Sequence, residues 1–306
     1  MDDVNYTTVR EFTFAGLTDS TSIAPFLFVF FLLVYLITVF GNFGMMAMVY
    51  SNSLLQTPMY YFLGNLSIVD LLYSTVVTPK MLSDLVSNCK SISVNGCALQ
   101  LFFFVSMAVT EALLLTDMSY DRYVAICNPL NYVSIMTQKK CVCLILLTYF
   151  IGFLQSAVQT GCVFYLQFCS SNLIEHFYCD LPPLMKLSCS DTFICDMVTI
   201  FFTCCFGVGS LITVLVSYSF IVSTILKINS SKGRSKAFST CSSHLTCVSI
   251  FYGTVFFIYL RPPSSDFNKQ DKVVSVFYTV IIPMLNPLIY SLRNKEVKKA
   301  MKRSVL

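Results

Sequence analysis

The chain reads as an all-α membrane protein: a seven-transmembrane helix bundle with a short amphipathic C-terminal helix. Three observations predict it. Of 306 residues, 56% are hydrophobic and only 12% charged, half the roughly 25% charged residues of a soluble domain. Seven apolar segments recur, at about 25–49, 58–80, 97–121, 140–164, 197–226, 237–260 and 272–292. Most reach the ~20 residues that cross ~30 Å of hydrocarbon as a helix. Basic residues gather in alternate connections, as the positive-inside rule requires. The strands of a membrane barrel would be ~10 residues long with alternating polarity, and no such pattern is present. No internal repeat of the kind that builds many transporters is evident either.

An odd number of spans puts the termini on opposite sides. Residues 1–24 form the expected extracellular tail and 293–306 the cytoplasmic one, around a single domain covering 1–306. The tail's Asp2, Asp3, Glu11 and Asp19 do not make the basic start of a cleavable signal peptide, so the first helix is expected to serve as an uncleaved anchor. Asn5-Tyr6-Thr7 is a glycosylation sequon on that tail. Arg122, Lys139 and Lys140, the 227–236 connection (Lys227, Lys232, Arg234, Lys236) and the 293–303 tail then fall inside. Such charges serve as solvated loops and headgroup contacts, which accounts for them without any nucleic-acid partner.

The first helix carries Gly41-Asn42 near its middle. A buried Asn needs partners, so Asn42 is expected to bond across helices. Pro58 opens the second helix at a first-turn position, where a missing N–H is harmless. Asp70 follows as a carboxylate inside an apolar run, which is costly enough to require a role. The third helix holds a second such acid, Glu111. At 100° per residue, Phe104, Ala108, Glu111, Leu115 and Arg122 form one stripe about 27 Å long. The stripe joins an apolar end, a mid-membrane acid and an inner base. Its apolar members fit plain bundle packing; its charged ones fit it poorly. Asp117 lies off this stripe, four residues before Asp121, and either reaches the inner headgroups or bonds to the fourth helix.

The connection at about 165–196 is long and holds Cys169, Cys179 and Cys189, while Cys97 heads the third helix. On an oxidising face these form disulfides, whose connectivity spacing alone does not give. His176 beside Cys179 is too little for a metal site. Cys127, Cys141, Cys143, Cys204, Cys205, Cys241 and Cys247 read as small apolar packers. Ser217-Tyr218 ends the fifth helix. The sixth begins Lys236-Ala237-Phe238-Ser239-Thr240-Cys241-Ser242-Ser243-His244, with His244 a packing or switch residue. The seventh contains Pro283, Asn286, Pro287 and Tyr290; its prolines break the backbone ladder and permit a bend. The 294–303 tail alternates Lys with apolar residues, as a helix lying on the inner leaflet does.

Taken in order, Gly41-Asn42, the 58–63 and 66–74 segments, Met118-Ser119-Tyr120-Asp121-Arg122-Tyr123-Val124-Ala125-Ile126-Cys127-Asn128-Pro129-Leu130, Ser217-Tyr218, 236–245, Phe251-Tyr252-Gly253 and 283–294 resemble the odorant receptors. These are a branch of the rhodopsin-like (class A) G-protein-coupled receptors, and the pattern is similar to the land-vertebrate (class II) group. The chain has no Trp, where other rhodopsin-like receptors carry one on the sixth helix. The resemblance implies roles. Asp121, Arg122 and Tyr123 would hold the resting state and meet the G protein, with Tyr218 and His244 in the same switch. Asn286, Pro287 and Tyr290 would form the helix-seven switch. Asp70 and Glu111, with Asn42 nearby, would share the polar core with a sodium ion or waters, the only cofactor expected. Cys97–Cys179 would be the family disulfide and Cys169–Cys189 a second, with Asn5 glycosylated. Asp117 departs from the pattern, which has a small or apolar residue there.

The resemblance also implies a ligand pocket in the outer half of the bundle. Triangulated from helix phase, its wall comprises Phe104, Val105, Ala108 and Val109; Phe202, Thr203 and Phe206; Tyr252, Val255, Phe256 and Tyr259; and Val276 and Thr279. That wall carries no charge and suits a small, mostly hydrophobic volatile molecule with one oxygen function. The expected partners are such an odorant, a stimulatory, olfactory-type heterotrimeric G protein that raises cyclic AMP, and the bilayer. The expected place is the plasma membrane of sensory cilia. A transporter or channel would also use intramembrane acids but should show repeated broken helices. A membrane enzyme should show a metal cluster or a nucleophile elbow. An amine receptor should show an acid near Phe104.

Overall fold

Helix one, Ala24–Ser51, buries one seam against its neighbours: Phe31, Val34, Thr38, Asn42, Met45 and Val49. These recur every three or four residues, one face of an α-helix. Phe26, Phe40 and Phe43 on the other side stay exposed, as a face turned to lipid does. The computed structural model describes residues 9–259 and 269–293, apart from 19, 53, 54, 88 and 170, together with Val297. Helix two spans Pro58–Val86, helix three Val94–Cys127 and helix four Gln138–Tyr165. Helix five spans Phe193–Leu226 and widens into a π-turn at Thr203–Val208. Helix six is Ser231–Tyr259. Helix seven runs as Lys269–Val276, a π-turn at Phe277–Ile281, and Ile282–Arg293. Asn5 and most of the 294–303 tail lie outside the described residues.

Six of these helices are long and apolar enough to cross a bilayer among the described residues. Helix six is 29 residues long, but its first turns carry Lys232, Arg234 and Lys236. Only its later part is apolar. Helix two extends six residues past the end expected from the sequence and runs straight through Pro79. A proline there removes an N–H from the helix ladder. Beside it, Gln100 of helix three donates Nε2 to the Val76 carbonyl at 3.0 Å.

Helix three is the axis of the bundle. Sixteen of its residues are buried, from Cys97 to Val124, because helices two, four, five and six all pack on it. Helix four approaches it most closely at Gly152, where a Cβ would fall 2.4 Å from Thr110 Oγ1 and 2.8 Å from the Ser106 carbonyl. Ser156 fastens the same contact by donating to the Phe102 carbonyl at 2.5 Å. Helices one and seven meet through the Gly41-Asn42 pair. Pro287 has no N–H to give to the carbonyl four residues back, that of Pro283. Asn42 Nδ2 donates to that orphaned carbonyl at 2.9 Å, and Gly41 leaves the Pro287 ring room, since a Cβ would stand 3.3 Å from its Cγ.

One end of the bundle, the cap, carries a three-stranded sheet that sequence patterning does not show. Strand β1 (Glu11–Phe14) lies between β2 (Ser91–Ser93) and β3 (Leu173–Ile174). It pairs antiparallel with β2, Glu11 opposite Ser93, and parallel with β3, Phe14 opposite Ile174. Alternation places Phe12 and Phe14 inward, both buried. Lys90 Nζ reaches the Ala15 and Thr18 carbonyls, and Lys272 Nζ the Gly16 carbonyl at 2.8 Å. Gly16 makes that turn at φ 79°, where a side chain would be strained. Three disulfides lie at the same end: Cys97–Cys179, Cys169–Cys189 and Cys162–Cys195.

The close approach at Gly152 is testable. Gly152→Ala should destabilise the purified receptor by about 1–3 kcal/mol through overpacking, read as a lowered thermal midpoint in detergent. Gly161→Ala on the same helix, where a Cβ meets nothing within 4 Å, should leave the midpoint where it is.

Candidate functional site

Beneath the cap a cavity of about 800 Å³, its open mouth included, lies among helices two to seven. Helix three supplies Phe104, Val105, Ala108 and Val109, helix five Phe202, Thr203 and Phe206, and helix six Tyr252, Val255 and Phe256. These are the pocket residues expected on those helices, apart from Tyr259, whose side chain lies outside the described ones. Helix seven differs. Val276 and Thr279 do not reach the cavity; Tyr278 does. Thr279 is buried and donates instead to the Ser275 carbonyl at 2.7 Å. The π-turn at Phe277–Ile281 is the reason: its wider winding changes which residue faces inward, and straight helical phase cannot foresee it.

Sequence phase also omits Tyr73 on helix two, Gln155 and Gln159 on helix four, and Leu181 from the 165–196 connection. Two glutamines one turn apart in an apolar helix were a visible signal for the helix-four wall. Among the described residues the wall carries no charge.

The connection between helices four and five closes the cavity from above. Cys97–Cys179 ties it to the top of helix three, and Gln100 Oε1 accepts the Cys179 N–H at 3.0 Å. Tyr178 then enters the bundle against Phe104, ring centres 4.8 Å apart, and Phe104 stacks on Tyr73 at 5.1 Å. The Tyr178 hydroxyl donates to Asp180 Oδ2 at 2.9 Å and also bonds the Tyr278 hydroxyl. His176 is buried beside them, its Nε2 3.2 Å from Ser275 Oγ of helix seven. Burial, with the nearby Lys272 second, pulls the His176 imidazole down from 6.5 to about 3.

Below the cavity, helices three, five and six are joined by polar side chains. Tyr252 donates its hydroxyl to Ser210 Oγ at 2.7 Å and lies 3.4 Å from the Ala112 carbonyl. Further along, His244 Nε2 is 3.0 Å from the Leu115 carbonyl and Nδ1 is 2.8 Å from the Tyr218 hydroxyl. A carbonyl only accepts, so Nε2 carries the proton there; Nδ1 then accepts from Tyr218. Between these levels lies the buried acid pair. Asn286 Nδ2 stands 3.1 Å from both oxygens of Asp70 and 3.3 Å from Glu111 Oε1. Glu111 Oε2 is buried with no hydrogen-bond partner. The sequence marked the two acids and Asn286 separately; the structure puts the amide between the acids.

This oxygen-only donor set fits a small hard cation rather than a transition metal, and the orphaned Glu111 oxygen is where one is wanted. Among the described residues no cluster of three or more His, Cys, Asp or Glu could hold a metal.

At the end opposite the cap, the base, Asp121 is buried and accepts the Tyr132 hydroxyl at 2.8 Å. Asp121 and Arg122 do not close an ion pair with one another. Neighbouring helical residues point about 100° apart, and the single carboxylate–cation contact among the described residues is Lys80–Asp84. Tyr123 packs on Phe220 of helix five, ring centres 5.9 Å apart. Asp117, left open by the sequence, accepts the Thr148 hydroxyl of helix four at 3.1 Å. Tyr290 lies buried against Cys247 of helix six.

A bundle of membrane-length helices with a cavity at one end and a polar core leading to the other is an architecture that multi-pass membrane receptors use. Comparison with known proteins agrees. The family model described as Olfactory receptor matches residues 31–306. Olfactory receptor 5B12 of Homo sapiens is 53% identical over 301 residues, covering 98% of this chain and 96% of that protein. Olfactory receptor 5AP2 of Mus musculus is 54% identical, covering 98% and 94%. Olfactory receptor 8A1 of Homo sapiens is 52% identical, covering 98% and 92%. The chain belongs to the olfactory receptor family.

The buried His176 gives a pH test of the lid. Unfolded, the imidazole takes a proton near 6.5; folded, it takes one only near 3. Between those values the unfolded form binds more protons, so stability is full above 6.5 and falls as pH drops toward 3. Backbone hydrogen exchange over 174–180, corrected for intrinsic rate, should speed up between about pH 7 and pH 5. His176→Gln should flatten that dependence.

Proposed function

We propose that this chain is an odorant receptor that binds small, mostly hydrophobic volatile molecules in the cavity beneath the cap and activates a stimulatory, olfactory-type heterotrimeric G protein, raising cyclic AMP. The observation that carries the ligand class is the cavity wall: aromatic and aliphatic side chains with a few hydroxyls and amides and, among the described residues, no charge. Such a wall gains by excluding water around an apolar molecule and has nothing to meet an ammonium or a carboxylate. The cap faces outward and the base inward on this reading, which puts the disulfides in an oxidising compartment and the basic connections in the cytoplasm. The place of action is the plasma membrane, in cilia of sensory cells.

The mechanism is a population shift between two packings of the bundle. Tyr252 lines the cavity and also fastens helix six to Ser210 of helix five. A ligand that repositions this ring biases helix six directly. About two turns further along the same helix, His244 holds helices three and five through Leu115 and Tyr218. Releasing that link frees the inner end of helix six to swing out, exposing Arg122 and Tyr123 to the G protein. Helix seven follows through Asn286, with Pro287 and Tyr290 absorbing the bend. Asp70 and Glu111 would hold a sodium ion in the resting packing, where it would offset carboxylate charge. No cofactor is proposed beyond it.

Arg122→Ala tests the signalling half of this proposal. In cells expressing the chain, odorant-evoked cyclic AMP should fall to near background while surface labelling stays close to the parent level. A normal response from that variant, or ion flux without any cyclic AMP from the parent, would contradict it.

A further inference from the structure

Gln155 and Gln159 sit one turn apart on helix four, each followed by a small hydroxyl residue, Ser156 and Thr160, in an otherwise apolar run. Both line the cavity, and they are only 6% and 3% exposed. Amides buried this deeply are costly unless their polar atoms are paired. Here the pairing is incomplete. Gln155 Nε2 donates to Gln159 Oε1 at 3.4 Å. Gln155 Oε1 is buried with no hydrogen-bond partner, and the Gln159 amide N–H₂ donates to no protein atom among the described residues. The tyrosine hydroxyls of the wall are engaged elsewhere, Tyr252 with Ser210 and Tyr278 with Tyr178 and Asp180, while Thr199 and Thr203 add two hydroxyls from helix five.

A covalent link holds this pair in place. Cys162–Cys195 joins helices four and five. Cys162 lies three residues beyond Gln159, and Cys195 four residues before Thr199. The disulfide therefore sits one turn toward the cap from both, so Gln159 meets the cavity at the level of Thr199 on the adjoining helix.

We propose that the Gln155–Gln159 pair is the polar subsite that reads the ligand's oxygen, and that it selects a hydroxyl: the preferred ligands are small apolar alcohols. This rests on the odorant-receptor reading above. Two amides joined by a single N–H···O=C bond leave one carbonyl and one N–H₂ free, whichever amide is the donor. A hydroxyl accepts from the one and donates to the other. An aldehyde, ketone or ester only accepts, and strands the carbonyl. A hydrocarbon strands both, and a carboxylate opposes the carbonyl with no cation in the wall. A site built to bond a hydroxyl discriminates against the analogue lacking it because its own buried groups are left unpaired.

The test uses the full-length chain in cells with a cyclic AMP reporter and surface labelling. The probes are matched sets on one carbon skeleton: n-hexanol, hexanal and n-hexane; n-octanol, octanal and n-octane; menthol, menthone and menthane. Within the skeletons that respond, the alcohol should be more potent than its carbonyl partner by roughly tenfold, and the hydrocarbon weakest. Gln155→Leu and Gln159→Leu should each bring the alcohol-to-carbonyl ratio close to one. Equal potency of alcohol and carbonyl in the parent chain overturns the proposal, as does an intact ratio in the double leucine variant at normal surface level. Should the leucine variants fail to reach the surface, the ratio in the parent chain decides alone. Response without alcohol preference overturns this subsite only. No response to any of the alcohols at normal surface level overturns the alcohol preference, and ion flux in place of cyclic AMP overturns the odorant-receptor reading and this subsite with it.

Discussion

Asp70 and Glu111 are two buried acids, and a single amide nitrogen of Asn286 is shared between them. Burying one uncompensated carboxylate costs several kcal/mol even after relaxation, and two side by side cost more. The bundle must keep helices two, three and seven close enough for that amide to serve both acids. Helix seven in turn can present Asn286 only because Pro287 is tolerated one residue later. That tolerance comes from helix one, where Asn42 supplies the donor that Pro287 withholds and Gly41 clears space for its ring. Four helices are thus committed to one polar arrangement, which is destabilised if any of them moves alone.

Such an arrangement suits a protein with two packings. The same face of helix three touches the ligand cavity at Phe104 and Ala108, the acid pair at Glu111 and the His244 link at Leu115. A change at the cavity therefore meets an interface with discrete partners rather than a soft apolar contact. Hydrogen-bonded side chains either hold or exchange partners, and that gives the bundle alternatives a few kcal/mol apart instead of a continuum. The cap makes the opposite contribution. Three disulfides, the sheet around β1 and the tyrosine–aspartate bonds fix the cavity's roof; on the proposed mechanism, movement is then directed toward the base.

Much of this was legible in the sequence, because a bilayer leaves few options. Membrane helices must satisfy their own backbone, so length and apolarity mark them, and an acid in such a helix marks a site. Asp70, Glu111, Asn286 and the face of helix three from Phe104 to Leu115 could be read on that ground. What escaped reading depends on contacts between distant segments. Strands of two to four residues at 11–14, 91–93 and 173–174 have no periodicity of their own. Cys162 and Cys195 come to the same outer end in the expected topology, but only the packing of helix four beside helix five shows that they bond. The π-turn in helix seven exchanges Val276 and Thr279 for Tyr278 at the cavity, which regular phase cannot show. The bond from Tyr132 to Asp121 likewise joins helix three to the connection after it, where helical phase gives no guide.

The central claim is that Asn286 and the Asp70–Glu111 pair form one unit holding helices two, three and seven. Reciprocal exchange tests it most directly, with thermal midpoints measured for purified Asp70→Asn, Asn286→Asp and the combined exchange. Each single change alters the number of acids in the unit; the exchange restores both the count and the acid-to-amide contact. The account predicts that the double variant is more stable than the sum of the two single losses, by more than the few tenths of a kcal/mol expected of independent sites. Strictly additive losses would contradict it.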